Sequence, residues 1–305
     1  MIPVVRTIGG DLPPSGIHGV LSQDRLIRGP QVVKPDRSDQ YEVDDLRGFA
    51  VRYLRALRAL GVDLVADCTV SGLGRDLGML HELSNASDVA IVCATGFPPA
   101  RWLPPPDAIG GVTEASQRMV QELSGGFIDE GGWGRAGMIH LGVSRPRIHP
   151  REEELLRAAA QAAGSTGALV MVDVGLAGLC NEVIRIFESA GGNLSRLAVM
   201  QMGGEADQNG LIDISIRGVY VGLDGVGKRP DNFFVERVQR FGLAGCLDRV
   251  LLTHAYSDDD SRTITASYCV GVHSRLQRAL VDAGFTRDEV RRCMRDNALR
   301  ALALA

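Results

Sequence analysis

The chain predicts an α/β fold, a (β/α)8 TIM barrel forming a single domain over residues 1–305. Short apolar runs alternate with amphipathic helical runs along its whole length, and eight of the apolar runs read as strands. Strands buried on both faces and separated by helices imply a parallel sheet covered by helices. Eight such units in this length favour a closed barrel. A doubly wound sheet is the alternative. It is weakened because no strand runs into G-x-G-x-x-G or G-x-x-x-x-G-K-[ST].

The elements follow from periodicity and punctuation. Gly16–Ser22 reads as the first strand, and 31–40, with Pro35, as a loop. Val43–Leu60 repeats apolar residues at helical spacing and stops at Gly61. Leu64–Cys68 is a strand, Asp76–Ser87 a helix and Val89–Thr95 a buried strand closed by Gly96. Phe97–Ala108 holds five prolines and reads as a long loop before the Val112–Leu123 helix. Strands at Gly137–Val143, Leu169–Val174, Leu197–Gln201, Val219–Asp224 and Val250–His254 follow. The helices between them are Pro150–Ala163, Asn181–Ala190, Glu205–Ser215 and Asn232–Phe241. Pro150 at a first helical position and acidic residues in the first turn suit a helix start. Val272–Ala283 and Arg287–Leu302 close the chain, separated by Gly284.

Composition narrows the function classes. A net charge of -4 gives no electrostatic case for nucleic acid or an anionic membrane. The cysteines Cys68, Cys93, Cys180, Cys246, Cys269 and Cys293 lie far apart with no C-x-x-C pair, which fits reduced thiols in a cytoplasmic protein. No signal peptide and no membrane span is read. Gly222–Lys228 resembles a phosphate loop, but its spacing fits neither phosphate motif.

Several segments carry a family likeness in sequence order. They are Val5-Arg6-Thr7-Ile8-Gly9-Gly10, Ser71–Asp76, Ala94–Phe97, Ala136–His140, Glu152–Ala160, Thr166-Gly167-Ala168, Ile186-Phe187-Glu188 and Gly222-Leu223-Asp224. Together they resemble the phosphotriesterase family of the amidohydrolase superfamily. That resemblance implies a barrel with two divalent metals at its C-terminal mouth, and a homodimer. The implied ligands are a His-x-His on the first strand, a carbamylated lysine on the fourth, histidines on the fifth and sixth, and an aspartate on the eighth.

The flanking residues locate those places, and every ligand type has changed. The His-x-His falls on Gln23-Asp24-Arg25, the lysine on His140 and the strand-five histidine on Asp173. The strand-six histidine falls on Gln201 and the strand-eight aspartate on Ala255. His140 cannot be carbamylated to bridge two cations, and Arg25 is charged at any working pH and is no ligand. A divergent member of the family, with its metal centre dismantled, is the expectation: no metal and no cofactor.

Five of these six positions are nonetheless polar or charged: Gln23, Arg25, His140, Asp173 and Gln201. Chance drift would often leave apolar residues there, because an unpaired buried charge is costly. A rebuilt site is therefore read. His140, Asp173 and Asp24 are its catalytic candidates, with a His–Asp pair as general acid/base. Arg25, Gln23, Gln201 and His254 are its substrate-binding candidates, Arg25 for a carboxylate or enolate and the glutamines for an oxyanion. The expected substrate is small, and anionic or carbonyl-containing. Elimination, isomerisation, cyclisation and metal-free hydrolysis all suit the set. The alternatives are a non-catalytic binding protein, with an Arg25–Asp173 bridge as internal glue, and a hydrolase holding one metal through Asp173, His140 and Asp24 or His254. Replacing Arg25 with Ala is expected to abolish function while sparing the fold.

The rim is read from the loops after strands. Trp102 among its prolines suggests a stiff wall or plain surface. Lys228 and Arg229 suggest guidance of an anion, and Tyr256–Asp260 a mobile acidic loop. His81, His149 and His273 are read as surface or helix-packing residues.

Overall fold

A computed structural model describes residues 3–26, 43–127, 134–227, 229–254 and 272–304. A short antiparallel sheet precedes the barrel: β1 (Val4–Thr7) pairs with β2 (Gly10–Leu12) and with the C-terminal β11 (Ala303–Leu304). The sequence reading contains no such sheet, because strands this short leave no period to count.

The eight barrel strands are β3 (Val20–Asp24), β4 (Leu64–Asp67), β5 (Ala90–Phe97), β6 (Met138–Gly142), β7 (Val170–Asp173), β8 (Leu197–Met200), β9 (Tyr220–Leu223) and β10 (Val250–Leu252). They pair in sequence order and in parallel, from β3 through to β10. The helices between them are α1 (Val43–Ala59), α2 (Leu77–Ser87), α3 (Pro106–Ile109), α4 (Val112–Ser124), α5 (Pro150–Thr166), α6 (Ala177–Ser189), α7 (Gln208–Ile216) and α8 (Asp231–Leu243). This is the (β/α)8 barrel that the alternation implies.

Element boundaries moved by a few residues. The first strand starts at Val20, not Gly16, because Pro14–Gly16 forms a 3-10 turn. The proline-rich loop contains a 3-10 turn at Ala100–Trp102 and the short α3. Among the described residues the first closing helix opens with a π-helical turn at Val272–Leu276, and the second is interrupted by one at Arg292–Asp296.

Alternation along the strands sorts side chains into two cores. On β4, Leu64 and Ala66 join Val20, Met138, Met171, Met200 and Leu251 inside the barrel. Val65 joins Leu21, Ile139, Val172 and Leu252 in the layer under the helices. The period of two is the reason: successive side chains point to opposite faces. Val5, Ala298, Leu299 and Leu302 belong to the inner core and plug the bottom of the barrel.

One buried carboxylate organises part of the rim. Glu152, in the first turn of α5, accepts from the His149 amide at 2.8 Å, which caps the helix. It also accepts from Ser144 N (2.9 Å) and Oγ (2.6 Å) and from Ala100 N (2.7 Å), so it ties the loop after β5 to the loop after β6.

Candidate active site

Three strands bring one cluster together. Gln23 lies near the end of β3, His140 lies on β6 and Asp173 ends β7. His140 and Asp173 share the inward parity of Met138 and Met171, whereas Gln23 is out of step with the inward Val20 and lies where the register shifts between Leu21 and Asp24. Asp173 is the hub. Its Oδ1 accepts from Gln23 Nε2 at 2.6 Å, and its Oδ2 accepts from Arg25 Nη2 at 2.6 Å. His140 Nε2 stands 3.3 Å from the same Oδ2, within ion-pair range but off hydrogen-bond geometry. Burial pushes the Asp173 carboxyl up, but the facing His140, Arg25 and Gln23 outweigh it and hold it down at about 2.

Three polar atoms of this cluster are buried without a hydrogen-bond partner among the described residues: both ring nitrogens of His140, of which Nε2 still faces Asp173, and Gln23 Oε1. The donation from Gln23 Nε2 to Asp173 fixes which end of that amide faces the carboxylate, so the orphaned oxygen is not a flip ambiguity. Buried polar atoms are nearly always paired, and an orphan beside a charged cluster points to a ligand or water.

Asp24 and His254 belong to a different network. Tyr53, from the inner face of α1, donates to Asp24 Oδ2 at 2.7 Å and lies 2.9 Å from His254 Nε2. Asp24 Oδ1 accepts from the Arg25 amide at 2.7 Å. Tyr53 packs in the layer under the helices, with Ala50, Leu54 and Leu57. The strand-one stretch is therefore split: Gln23 and Arg25 reach Asp173 across the barrel, and Asp24 faces α1. A register shift between Leu21 and Asp24 accompanies this split.

Gln201 follows β8 with φ +66, a left-handed conformation unusual for a residue with a side chain. A Cβ placed on Gly175 would lie 3.2 Å from Gln201 Oε1 and 2.6 Å from Arg145 Nη1, so these groups share one stretch of rim. No hydrogen bond joins Gln201 to the Asp173 cluster among the described residues. Trp102 is exposed, with the Arg101 guanidinium 5.7 Å from its ring. Arg229 lies over the Phe233 ring at 4.6 Å. Lys228, Ala255 and Tyr256–Asp260 lie outside the described residues.

Tyr53 and Asp67 are polar groups near the mouth that the sequence reading did not single out, and His273, read there as a surface or helix-packing residue, is buried. Tyr53 looks like one more apolar repeat of α1. Asp67 ends β4 beside Asp24 and accepts from Thr69 N (2.9 Å) and Oγ1 (2.6 Å). Burial, with a smaller push from Asp24, raises its carboxyl to about 7. An aspartate closing the apolar run Leu64–Ala66 was the available signal. His273 is buried, and burial, then the neighbouring His254, lowers its imidazole to about 4. Cys68 is buried and its thiol is pushed well above the ordinary range by burial, then by Asp173, so it is no ready nucleophile.

The donor set does not fit the binuclear centre implied by the resemblance. A guanidinium cannot ligate a metal, and here it occupies the Asp173 oxygen that a ligand would offer. Among the described residues, no three His, Cys, Asp or Glu side chains gather closely enough to hold an ion.

The fold and the sequence together define the class. The chain belongs to the phosphotriesterase family, whose pattern it matches over residues 18–302. It is 28% identical over 320 residues to the phosphotriesterase homology protein of Mycobacterium tuberculosis (strain CDC 1551 / Oshkosh), covering 98% of this chain and 97% of that one. It is 29% identical over 190 residues to N-acetyltaurine hydrolase of Salmo salar, covering 59% of this chain and 52% of that protein. A mutant organophosphorus hydrolase from Deinococcus radiodurans shares the fold with a TM-score of 0.86 at 23% identity, over 98% of this chain and 97% of that one. The family thus includes named hydrolases. No helix among the described residues is long and apolar enough to cross a membrane.

Proposed function

We propose that this phosphotriesterase-family protein is a metal-independent enzyme acting by acid/base chemistry on a small metabolite that carries a carbonyl or carboxylate. The observation that carries this reading is His140 Nδ1. It is buried and has no hydrogen-bond partner among the described residues, while its other nitrogen faces a carboxylate held ionised by Arg25 and Gln23. Asp173 favours the proton on Nε2 and leaves the Nδ1 lone pair as the base.

In the proposed step, Nδ1 takes a proton from the carbon next to a substrate carbonyl, or from a hydroxyl. The C–H electron pair moves into an enolate oxygen. Arg25 places its fixed positive charge beside the developing anion, and Gln23 Oε1 receives a substrate N–H or O–H. The imidazolium then returns its proton at a second position, giving isomerisation or cyclisation, or to a departing group, giving elimination. Attack of an activated water on an ester or lactone is the hydrolytic version of the same set.

The test is turnover of a panel of small carbonyl, carboxylate and lactone compounds, with and without chelator, alongside metal analysis of the purified protein. Chelator-resistant turnover that His140→Gln abolishes supports the reading. A stoichiometric, tightly held metal pair sinks it. Buried free thiols and the family resemblance support a cytoplasmic homodimer.

A binding protein is the second reading, and the Arg25–Asp173 bridge favours it. That bridge neutralises the mouth from within, as internal glue would. Uptake of a small carboxylate such as acetate, reported by perturbed Arg25 side-chain NMR signals, distinguishes an open site from a closed one.

A further inference from the structure

Among the described residues, β3 pairs only with β4 and β10 only with β9, so the first and last strands meet at a seam without a backbone ladder. Side chains join that seam. Thr253 Oγ1, just past β10, donates to the Gln23 carbonyl at 3.1 Å. Tyr53 OH spans from Asp24 Oδ2 at 2.7 Å to His254 Nε2 at 2.9 Å. Asp24, Tyr53 and His254 are all buried.

The same carboxylate fixes the main chain of the active-site arginine, since Asp24 Oδ1 accepts the Arg25 N–H at 2.7 Å. We propose that Tyr53, with Asp24 and His254, is a seam latch that positions Arg25 and Gln23 on Asp173. The chain of contacts is short. Tyr53 holds Asp24, Asp24 holds the backbone of Arg25, and the residues flanking Asp24 both reach Asp173. With the latch removed, the end of β3 loses its Tyr53-mediated tie to His254 on the β10 side, and the guanidinium loses part of its fixed approach to Oδ2. The hydrogen bonds of Tyr53 go to Asp24 and His254, so it acts through Arg25, as a positioning residue. The inference rests on the reading of the mouth given above, and its test does not require turnover.

The experiment is a double-mutant cycle on the full chain, with Tyr53→Phe and Arg25→Ala made singly and together and thermal midpoints as the readout. Coupled residues give non-additive shifts, and distant ones add. The expected result is that Arg25→Ala lowers the midpoint less in the Tyr53→Phe background than in the native one. The control pair, Tyr53→Phe with Glu122→Gln, is expected to add. Amide exchange supplies a readout that plain packing would not move: Arg25 N–H is expected to exchange about tenfold faster in Tyr53→Phe. Asp24→Asn retains an acceptor for that amide, so it is expected to protect Arg25 better than Asp24→Ala.

Additive shifts with an Arg25 amide as protected as in the native chain overturn the latch and leave the catalytic reading standing. A coupled cycle in a protein that turns nothing over keeps the latch and sinks the catalytic reading. If Tyr53→Phe does not fold, the Asp24→Asn and Arg25→Ala cycle decides the same question.

Discussion

The Arg25 guanidinium and the Asp173 carboxylate meet 2.6 Å apart across the barrel mouth, on strands 148 residues apart in the chain. Asp173 is buried and Arg25 is about a fifth exposed, so this is not a surface pair. Removing one partner of a buried pair leaves an uncompensated charge, at about 3–5 kcal/mol. Arg25→Ala is therefore expected to reduce stability as well as function, which revises the expectation that the fold is spared. Gln23 and His140 stay on Asp173 and should keep the loss near the lower end. Chemical denaturation of Arg25→Ala and of Arg25→Ala with Asp173→Asn checks this. The double variant should regain stability and not function.

His140→Gln tests the base directly. Glutamine is also polar, so folding should change by no more than about 1–2 kcal/mol. Turnover should fall by about a hundredfold or more, the usual range for losing a general base. A variant with undiminished turnover would remove His140 from the mechanism.

Asp67 and His273 pull stability in opposite directions with pH. Asp67 titrates near 7 in the fold and near 4 when unfolded, so between those values the folded state holds the extra proton. Stability from this group is full at acid pH and falls as pH rises through the window, by up to about 1.4 kcal/mol per pH unit. His273 titrates near 4 in the fold and near 6.5 unfolded, so there the unfolded state holds the extra proton and stability rises with pH. The slopes offset in the native chain between about pH 4 and 6.5. Asp67→Asn should expose the rising slope and His273→Gln the falling one. Urea midpoints between pH 4 and 7.5 read both.

Glu122 holds a second buried set, away from the mouth. It accepts from Thr95 Oγ1 at 2.7 Å, Arg75 Nη1 at 3.3 Å and Arg118 Nε at 3.2 Å. The Arg75 side chain is as buried as its partner and also lies over the Phe127 ring, 4.2 Å from its centre. Glu122→Ala removes the carboxylate from that buried guanidinium and should cost up to about 3–5 kcal/mol. Calorimetry or denaturant unfolding measures it.

Gly96 touches the strand that carries His140. Its φ is +120, and a Cβ there would lie 2.1 Å from the His140 carbonyl oxygen. Gly96→Ala should push β6 away from β5, lowering stability and displacing His140. A crystal structure of the variant, or a loss of turnover beyond its loss of stability, checks the displacement.

The sequence by itself determined the barrel and the residues at its mouth. Alternating apolar and amphipathic runs are a local signal, so eight strands and their order could be counted along the chain. Flanking motifs then located Gln23 and Arg25 at the end of the first strand, His140 on the fourth and Asp173 on the fifth, and the fold brings those four together. Only the tertiary structure decided how Gln23-Asp24-Arg25 divides. The period of two states that Asp24 opposes its neighbours, but not what either face meets. Asp24 finds Tyr53 on α1, 29 residues on, and Tyr53 finds His254, 201 residues on. Those partners exist only once the first and last strands come together, and no spacing within the chain records where that seam falls.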